Sequence, residues 1–440
     1  MNELIAAAVA APGAAVALLA IAWLLGIECR ERWIARLTGL VYSFSAAALL
    51  TPAVRMCFGD AAGWSIPLGE WFRVGDHAFQ FALRADPVSL PMLLLTALLA
   101  GIIGAFSRTY MHREPGYFRF FFCLHLFAFG AMIAFAAGNL DLLIVGWELV
   151  GLSSVLLVGF FYERSGPPAS AIRVFATYRS ADVGLLVGVF AAHHFRHTSS
   201  LEGIAGHALK PDEATIVGLL LLVAAMGKAA QIPFSGWLPR AMEGPTPSSA
   251  IFYGAISVHL GAYLLLRAYP LLTASPAALL AVTLIGLGTA VHGVVVGRAA
   301  SDAKTSLAYA SITQLGLIFA EIGMGWTTIA LIHILGHSVV RTLQFLRAPS
   351  MLHEYHHMHA AAGGRVDAAE ASLESILPEG LRRRLYWFAL DRAHLDRFLD
   401  AVIVRPVFAV SAWLAGSSQN PKASARSEAV PVALQEGADA

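Results

Sequence analysis

An all-α polytopic membrane protein, with about 11–12 transmembrane helices of ~20 residues each, is the fold the sequence predicts. Three observations predict it. Hydrophobic residues make up 57% of the 440 and charged residues only 13%, where a soluble domain carries about 25% charge; mean hydropathy is +0.65. Apolar stretches long enough to span a bilayer recur along the chain. One of them ends in a lysine, Lys228, and two prolines, Pro233 and Pro239, follow within a few residues.

The candidate spans fall at 5–26, 34–54, 87–107, 117–137, 139–161, 172–194, 214–232, 247–267, 273–298, 306–325 and 327–346. The first carries Glu3 in place of a basic leader and has no cleavage pattern, so it reads as a span rather than a signal peptide. Residues 56–86 are polar, with alternating segments around Trp71-Phe72-Arg73 and Phe79–Leu83 that suggest a short hairpin. Arg30, Arg32 and Arg36, then Arg108, Arg113 and Arg119, then Arg164 and Arg173 flank alternate turns. The positive-inside bias makes those turns cytoplasmic and puts the N-terminus outside.

The expected organisation is an N-terminal pair of helices with the polar hairpin (1–84) and a membrane core (85–346). A polar cytoplasmic segment (347–385), an amphipathic or last apolar helix (386–415) and a disordered tail (416–440) follow. His353, His356, His357 and His359 crowd the polar segment; such a run at a helix end is more often a solvated patch than a metal site, which needs defined ligand pairings.

Composition also excludes functions. A formal net charge of +1 gives no electrostatic case for nucleic acid. Cys29, Cys57 and Cys123 are isolated, without CxxC or Cys/His spacing, so no metal centre or iron–sulfur cluster is expected. No nucleotide-binding glycine pattern is present. The expectation is a chain with no cofactor and no redox or catalytic centre of its own.

An ionisable group at membrane depth is costly and marks an ion or proton path by default. Only four basic residues are lysines: Lys210, Lys228, Lys304 and Lys422. Desolvated lysine can release its proton, whereas arginine cannot, which makes Lys228 the leading candidate. Pro233 and Pro239 free backbone groups that survive in a membrane only beside other helices or a hydrated cavity. Glu148 lies in the span NLDLLIVGWELVGLSSVLLVGFF. Arg179 and Asp182, at i and i+3, share one helical face, and a local salt bridge is their simplest use. His333, His337 and Arg341 form a stripe at four-residue spacing; histidine titrates near neutral pH and suits proton transfer. His259 lies alone in the eighth span. Asp302 is placed to favour a helix N-terminus, and His125 and His292 read as satisfied core histidines.

The run GKAAQIPFSGWLPRAMEGPTPSSA, Gly227 to Ala250, closely resembles the broken-helix motif of the proton-conducting antiporter-like family. That family contains the large membrane subunits of NADH–quinone oxidoreductase (chain 5/L type) and the Mrp cation/proton antiporters. GWE-VGL-S around Glu148, R-x-x-D at Arg179 and Asp182, and D-x-K at Asp302 and Lys304 resemble it too. The resemblance spans roughly 85–346 and implies inverted repeats with the Pro-broken helix near 214–240. In the family the glutamate pairs with the broken-helix lysine and the aspartate modulates that pair. Carried over, Glu148, Lys228, His259, His333 and His337 form a proton relay, modulated by Arg179, Asp182, Lys304 and Arg341.

Three departures stand out. Arg341 replaces the family's lysine; His259 occupies the Mrp-type lysine position, while the L-type histidine position holds Tyr253; and nothing resembles the family's twelfth span, so the second repeat reads as truncated. The segment SMLHEYHHMH is reminiscent of a branch in which the membrane chain energises a soluble zinc partner resembling carbonic anhydrase, the DAB-type inorganic-carbon transporters. The expected function is a proton-translocating subunit in a cell (inner) membrane, coupled either to a complex I-like redox arm or to such a carbon-hydrating partner. A stand-alone cation/proton antiporter and a non-conducting scaffold are the alternatives.

Overall fold

The computed structural model describes every residue except 60–61, 75–76, 197–199, 202–209, 301, 349–377 and 415–440. The histidine cluster of the polar segment lies outside the described residues. Among those described, ten helices are long and apolar enough to cross a membrane. They begin with α1 (Asn2–Leu24) and α2 (Glu31–Cys57), followed by the antiparallel hairpin of β1 (Trp64–Val74) and β2 (His77–Ala85).

Then come α3 (Ser89–Tyr110), α4 (Tyr117–Ala136), α5 (Leu140–Val158) and α6 (Gly166–Arg196). Helix α7 (Pro211–Lys228) leads to the break. Beyond it lie α8 (Thr246–Arg267, with a π-helical turn at Ala250–Ala255), α9 (Pro276–Gly297), α10 (Ala303–Gly323) and α11 (Thr327–Arg347). At the C-terminal side are α12 (Glu379–Leu390) and α13, which runs from Leu395–Leu399 through a π-helical turn, Asp400–Val404, into Arg405–Leu414.

Side-chain contacts define two ends of the bundle. At one end Glu31 binds His112 Nδ1 at 2.6 Å and Arg113 N at 3.0 Å, and Arg119 donates to the Phe160 carbonyl at 2.8 Å while lying over the Phe160 and Tyr162 rings. The turns after α1, α3 and α5, which hold the basic residues singled out in the sequence, therefore gather at one end. At the opposite end the hairpin joins the start of α5: Gly138 N donates to the Ala82 carbonyl, and Asn139 both reaches Gln80 O and caps α5 through Leu142 N. Asp86 caps α3 through Val88 N and Ser89 N and binds Arg267 at the end of α8 at 2.6 Å.

Helix α8 is the interior element. Every residue of its most apolar window is buried, so its polar side chains must find partners inside the protein. Helix α7 is its antithesis at the start: Pro211 opens it, Asp212 and Glu213 lie in the first turn, and Glu213 accepts from Lys210 N at 3.2 Å. Proline at the first position costs no hydrogen bond there, and acidic residues favour the N-terminal dipole.

After Lys228 the helix stops. Three short helical turns follow, Phe234–Gly236, Trp237–Arg240 and Ala241–Glu243. Pro233 caps the first and Pro239 falls in the opening turn of the second, where its missing amide removes no helical hydrogen bond. Trp237 Nε1 donates to the Gly227 carbonyl at 2.9 Å, one of the carbonyls the break leaves free.

Candidate functional site

Two polar clusters occupy the interior. The first is built by α5, α6 and α7. Lys228 is 1% exposed; its Nζ donates to the Trp147 carbonyl at 3.1 Å and stands 4.8 Å from the Trp147 ring and 4.6 Å from the Tyr178 ring. Arg179 pairs with both Glu148 and Asp182, the latter at 2.7 Å. Trp147 Nε1 closes the group with a 2.6 Å bond to Asp182 Oδ1. The tryptophan therefore touches the lysine through its carbonyl and ring and the aspartate through its indole.

The Glu148–Lys228 pair expected from the sequence is not a direct ion pair: Arg179, which binds Glu148, stands beside Gly151, as Lys228 does. Among the described residues Lys228 forms no ion pair, and Arg179 holds the glutamate instead. The reason is geometric: a planar guanidinium with five donors can serve two carboxylates at once, whereas the ammonium is drawn to a backbone carbonyl and two ring faces. Gly151 leaves room for both cations. A methyl group built there would stand 3.1 Å from Lys228 Nζ and 3.6 Å from Arg179 Nη2.

The second cluster joins α8, α10 and α11. His259 and His337 meet through Nε2 and Nδ1 at 2.8 Å, with their rings edge to face. His259 Nδ1 lies 2.5 Å from the Ala255 carbonyl and 3.1 Å from Ser338 Oγ. Arg341 Nε donates to His337 Nε2 at 3.2 Å, and its Nη1 donates to Gln344. His333, one turn away, bonds Glu321 through Nδ1 at 2.9 Å and Gln314 through Nε2 at 2.9 Å. A line of aromatic rings links the clusters: Tyr178 packs on Trp237, and Trp237 on Tyr253 in the π-helical turn preceding His259.

Lys304 stands apart from both clusters. It donates to Thr246 Oγ1 at 3.1 Å at the basic end, where Tyr110 also bonds that threonine. Asp302 caps α10 through Thr305 N. His125 bonds Thr38 and stacks on Tyr42, and His292 bonds Ser235.

Reading the sequence overlooked Glu321 and Gln314, although a carboxylate in the otherwise apolar α10 is the same signal that singled out Glu148. Also overlooked were Asp396 and Asp400 of α13. Asp396 binds Arg240 of the broken segment at 3.3 Å and Arg392 at 2.9 Å, while Asp400 binds Arg173 of α6 at 2.6 Å.

A multi-pass helical bundle with a helix broken beside a buried lysine defines a class of membrane protein. A sequence model for the transmembrane region of the NADH:quinone oxidoreductase/Mrp antiporter family matches residues 137–363. One for the N-terminus of complex I chain 5 matches residues 71–121. The chain belongs to the NADH:quinone oxidoreductase/Mrp antiporter family.

Similar curated proteins include NADH-quinone oxidoreductase subunit L of Mycobacterium tuberculosis, 36% identical over 65% of this chain and 46% of the relative. NADH-ubiquinone oxidoreductase chain 5 of Allomyces macrogynus is 35% identical over 66% of this chain and 46% of the relative. The alignments thus cover less than half the length of these relatives. Among solved structures, the Mrp complex from Dietzia sp. DQ12-45-1b superposes with a TM-score of 0.65 at 24% identity, covering 88% of this chain and 42% of that one. The membrane-bound sulfane sulfur reductase, an archaeal respiratory membrane complex, gives 0.66 at 19% identity over 78% of this chain and 70% of that one. Those likenesses establish the fold.

Proposed function

We propose that this chain is a proton-translocating subunit of a multi-subunit membrane complex. Protons pass between the Lys228 cluster and the His259–His337 pair, with Glu148, His333 and Arg179/Asp182 shaping the field along the way. The observation that carries this reading is Lys228: buried, with no carboxylate in contact among the described residues, and held by a carbonyl and two rings. A buried cation so placed does little for the fold and is costly to desolvate, while lysine is the cation able to exchange its proton. Tyr253, whose buried hydroxyl has no hydrogen-bond partner among the described residues, supplies a polar group on the way to His259.

The cytoplasmic side is the end that gathers Arg30, Arg108, Arg119 and Arg164, by the positive-inside bias, in a bacterial inner membrane. Two partner classes follow from the sequence resemblance: a redox arm, or a soluble zinc protein resembling carbonic anhydrase. Zinc content and flavin or iron–sulfur absorbance of the purified complex separate them.

Lys228→Ala and Lys228→Arg in the reconstituted complex test the proton role. Both variants should lose proton-coupled turnover while assembling normally, because arginine keeps the charge but not the exchange. Proton-coupled turnover by Lys228→Arg at close to the unmodified rate would remove Lys228 as the group that exchanges protons.

A further inference from the structure

Hydrogen-bond donors and acceptors around the histidine pair admit one arrangement of protons. Arginine has only donors to offer, so His337 Nε2, which receives Arg341 Nε at 3.2 Å, is unprotonated. A neutral imidazole with a bare Nε2 carries its proton on Nδ1. That proton lies in the 2.8 Å contact with His259 Nε2, which must therefore accept. His259 in turn carries its proton on Nδ1, facing the Ala255 carbonyl and Ser338 Oγ. A carbonyl only accepts, so the far end of the chain demands the same form without reference to Arg341. Both ends specify one tautomer for both rings.

The next proton has a single place to go. His259 Nδ1 is occupied, and the contact between the rings holds one proton whichever nitrogen owns it. The remaining site is His337 Nε2, where Arg341 Nε–H already points. We infer that Arg341 is a gate on the histidine pair: an excess proton enters only when the guanidinium leaves His337 Nε2, and its return expels that proton.

The groups facing His337 agree with this assignment. His259 comes from α8, and His333 lies one turn away on α11, held by Glu321 and Gln314 of α10. Because both His333 nitrogens are engaged, it offers no free acceptor to a proton leaving the pair. Arg341 has somewhere to go. Its Nη1 donates to Gln344 Oε1 at 2.7 Å, and Gln344 lines a cleft of about 420 Å3 between α10 and α11 near their basic ends. Pivoting about its Gln344 contact towards that cleft frees His337 Nε2 and opens the path the guanidinium vacates. The gate is a positioning role: Arg341 never carries the transferred proton, since its own stays bound.

Nitrogen NMR of the full chain, labelled at histidine and reconstituted in bilayers, reads the tautomers directly. The unmodified protein should show His259 and His337 as neutral rings protonated at Nδ1, assigned by loss of each signal in His259→Gln and His337→Gln. Arg341→Met removes the donor, and His337 should then populate the Nε2-protonated or doubly protonated form. Arg341→Gln retains an N–H donor and should preserve the original signature, which controls for loss of folding in the methionine variant.

The flux arm rests on the proton-translocation reading: Arg341→Met vesicles should leak protons several-fold faster than those with the unmodified chain. An Nε2-protonated pair in the unmodified protein, or an Arg341→Met spectrum identical to it, overturns the gate. A tautomer change as expected, with no proton flux in any variant, establishes the lock and overturns the translocation reading instead.

Discussion

Asp400 and Arg173 meet at 2.6 Å although 227 residues separate them in sequence. One turn earlier on α13, Asp396 reaches Arg240 of the broken segment and Arg392. The Asp396 carboxylate occupies the space where a side chain on Gly236 would lie, so Gly236 can carry none. These carboxylates tie α13 to α6, which bears Arg179, and to the turns that follow Lys228 of α7.

Reversing one charge should release α13. Asp400→Arg is expected to destabilise the protein in detergent by about 3 kcal/mol, the cost of leaving a partly buried charge unpaired. The Arg173→Asp, Asp400→Arg double variant should recover a coupling of about 1–3 kcal/mol. Thermal unfolding of the four proteins gives that coupling; additive effects would mean the pair is not energetically linked.

Gly151→Ala should damage transport more than folding. The added methyl would stand 3.1 Å from Lys228 Nζ, tighter than an ordinary contact, and 3.6 Å from Arg179 Nη2. Small overpacking of this kind costs about 1–3 kcal/mol, yet it moves the one cation proposed to exchange protons. Proton flux at matched protein levels, compared with melting temperature, checks the separation.

Glu321→Gln should loosen His333 without unfolding α10. The amide can still meet His333 but no longer supplies a charged acceptor, and charge-assisted hydrogen bonds are roughly twice as strong as neutral ones. The expected outcome is reduced flux with unchanged assembly. Full flux in this variant would show that the His333–Glu321 contact does not shape the path.

Acid stability should depend on Asp86. Burial on its own would raise this carboxyl, but Arg267 at 2.6 Å, the Ser89 amide and Arg84 hold it down, at about 2 against an ordinary 3.8. Because the folded value is the lower one, the stabilisation is complete above about pH 4 and is lost as pH falls towards 2. A shift of this size corresponds to roughly 2 kcal/mol. Asp86→Asn should therefore unfold more easily at neutral pH, and the gap from the unmodified protein should narrow in acid. Denaturation in detergent at pH 7 and pH 3 measures both.

Much of this protein is a one-dimensional property of its sequence. Hydropathy marks spans because lipid penalises every uncompensated polar group, whatever its neighbours. The same penalty makes Lys228, Glu148 and His259 conspicuous in the sequence. The helix break is legible for a related reason: proline removes a donor at a known position. Helical spacing put Arg179 beside Asp182 and His333 in line with His337, since residues three and four apart share a face.

What the sequence could not decide was which charge meets which. Glu148 and Lys228 lie on different helices, and their contact depends on how α5 and α7 are rotated and offset against α6. Tertiary packing put Arg179 between the carboxylates and left the lysine against Trp147 and Tyr178. It also set His337 of α11 against His259 of α8, and brought Asp396 and Asp400 to arginines far back in the chain. Apolar burial follows from composition and period alone, whereas a charge pairing needs the distance and angle between two helices, and only the packed bundle sets those.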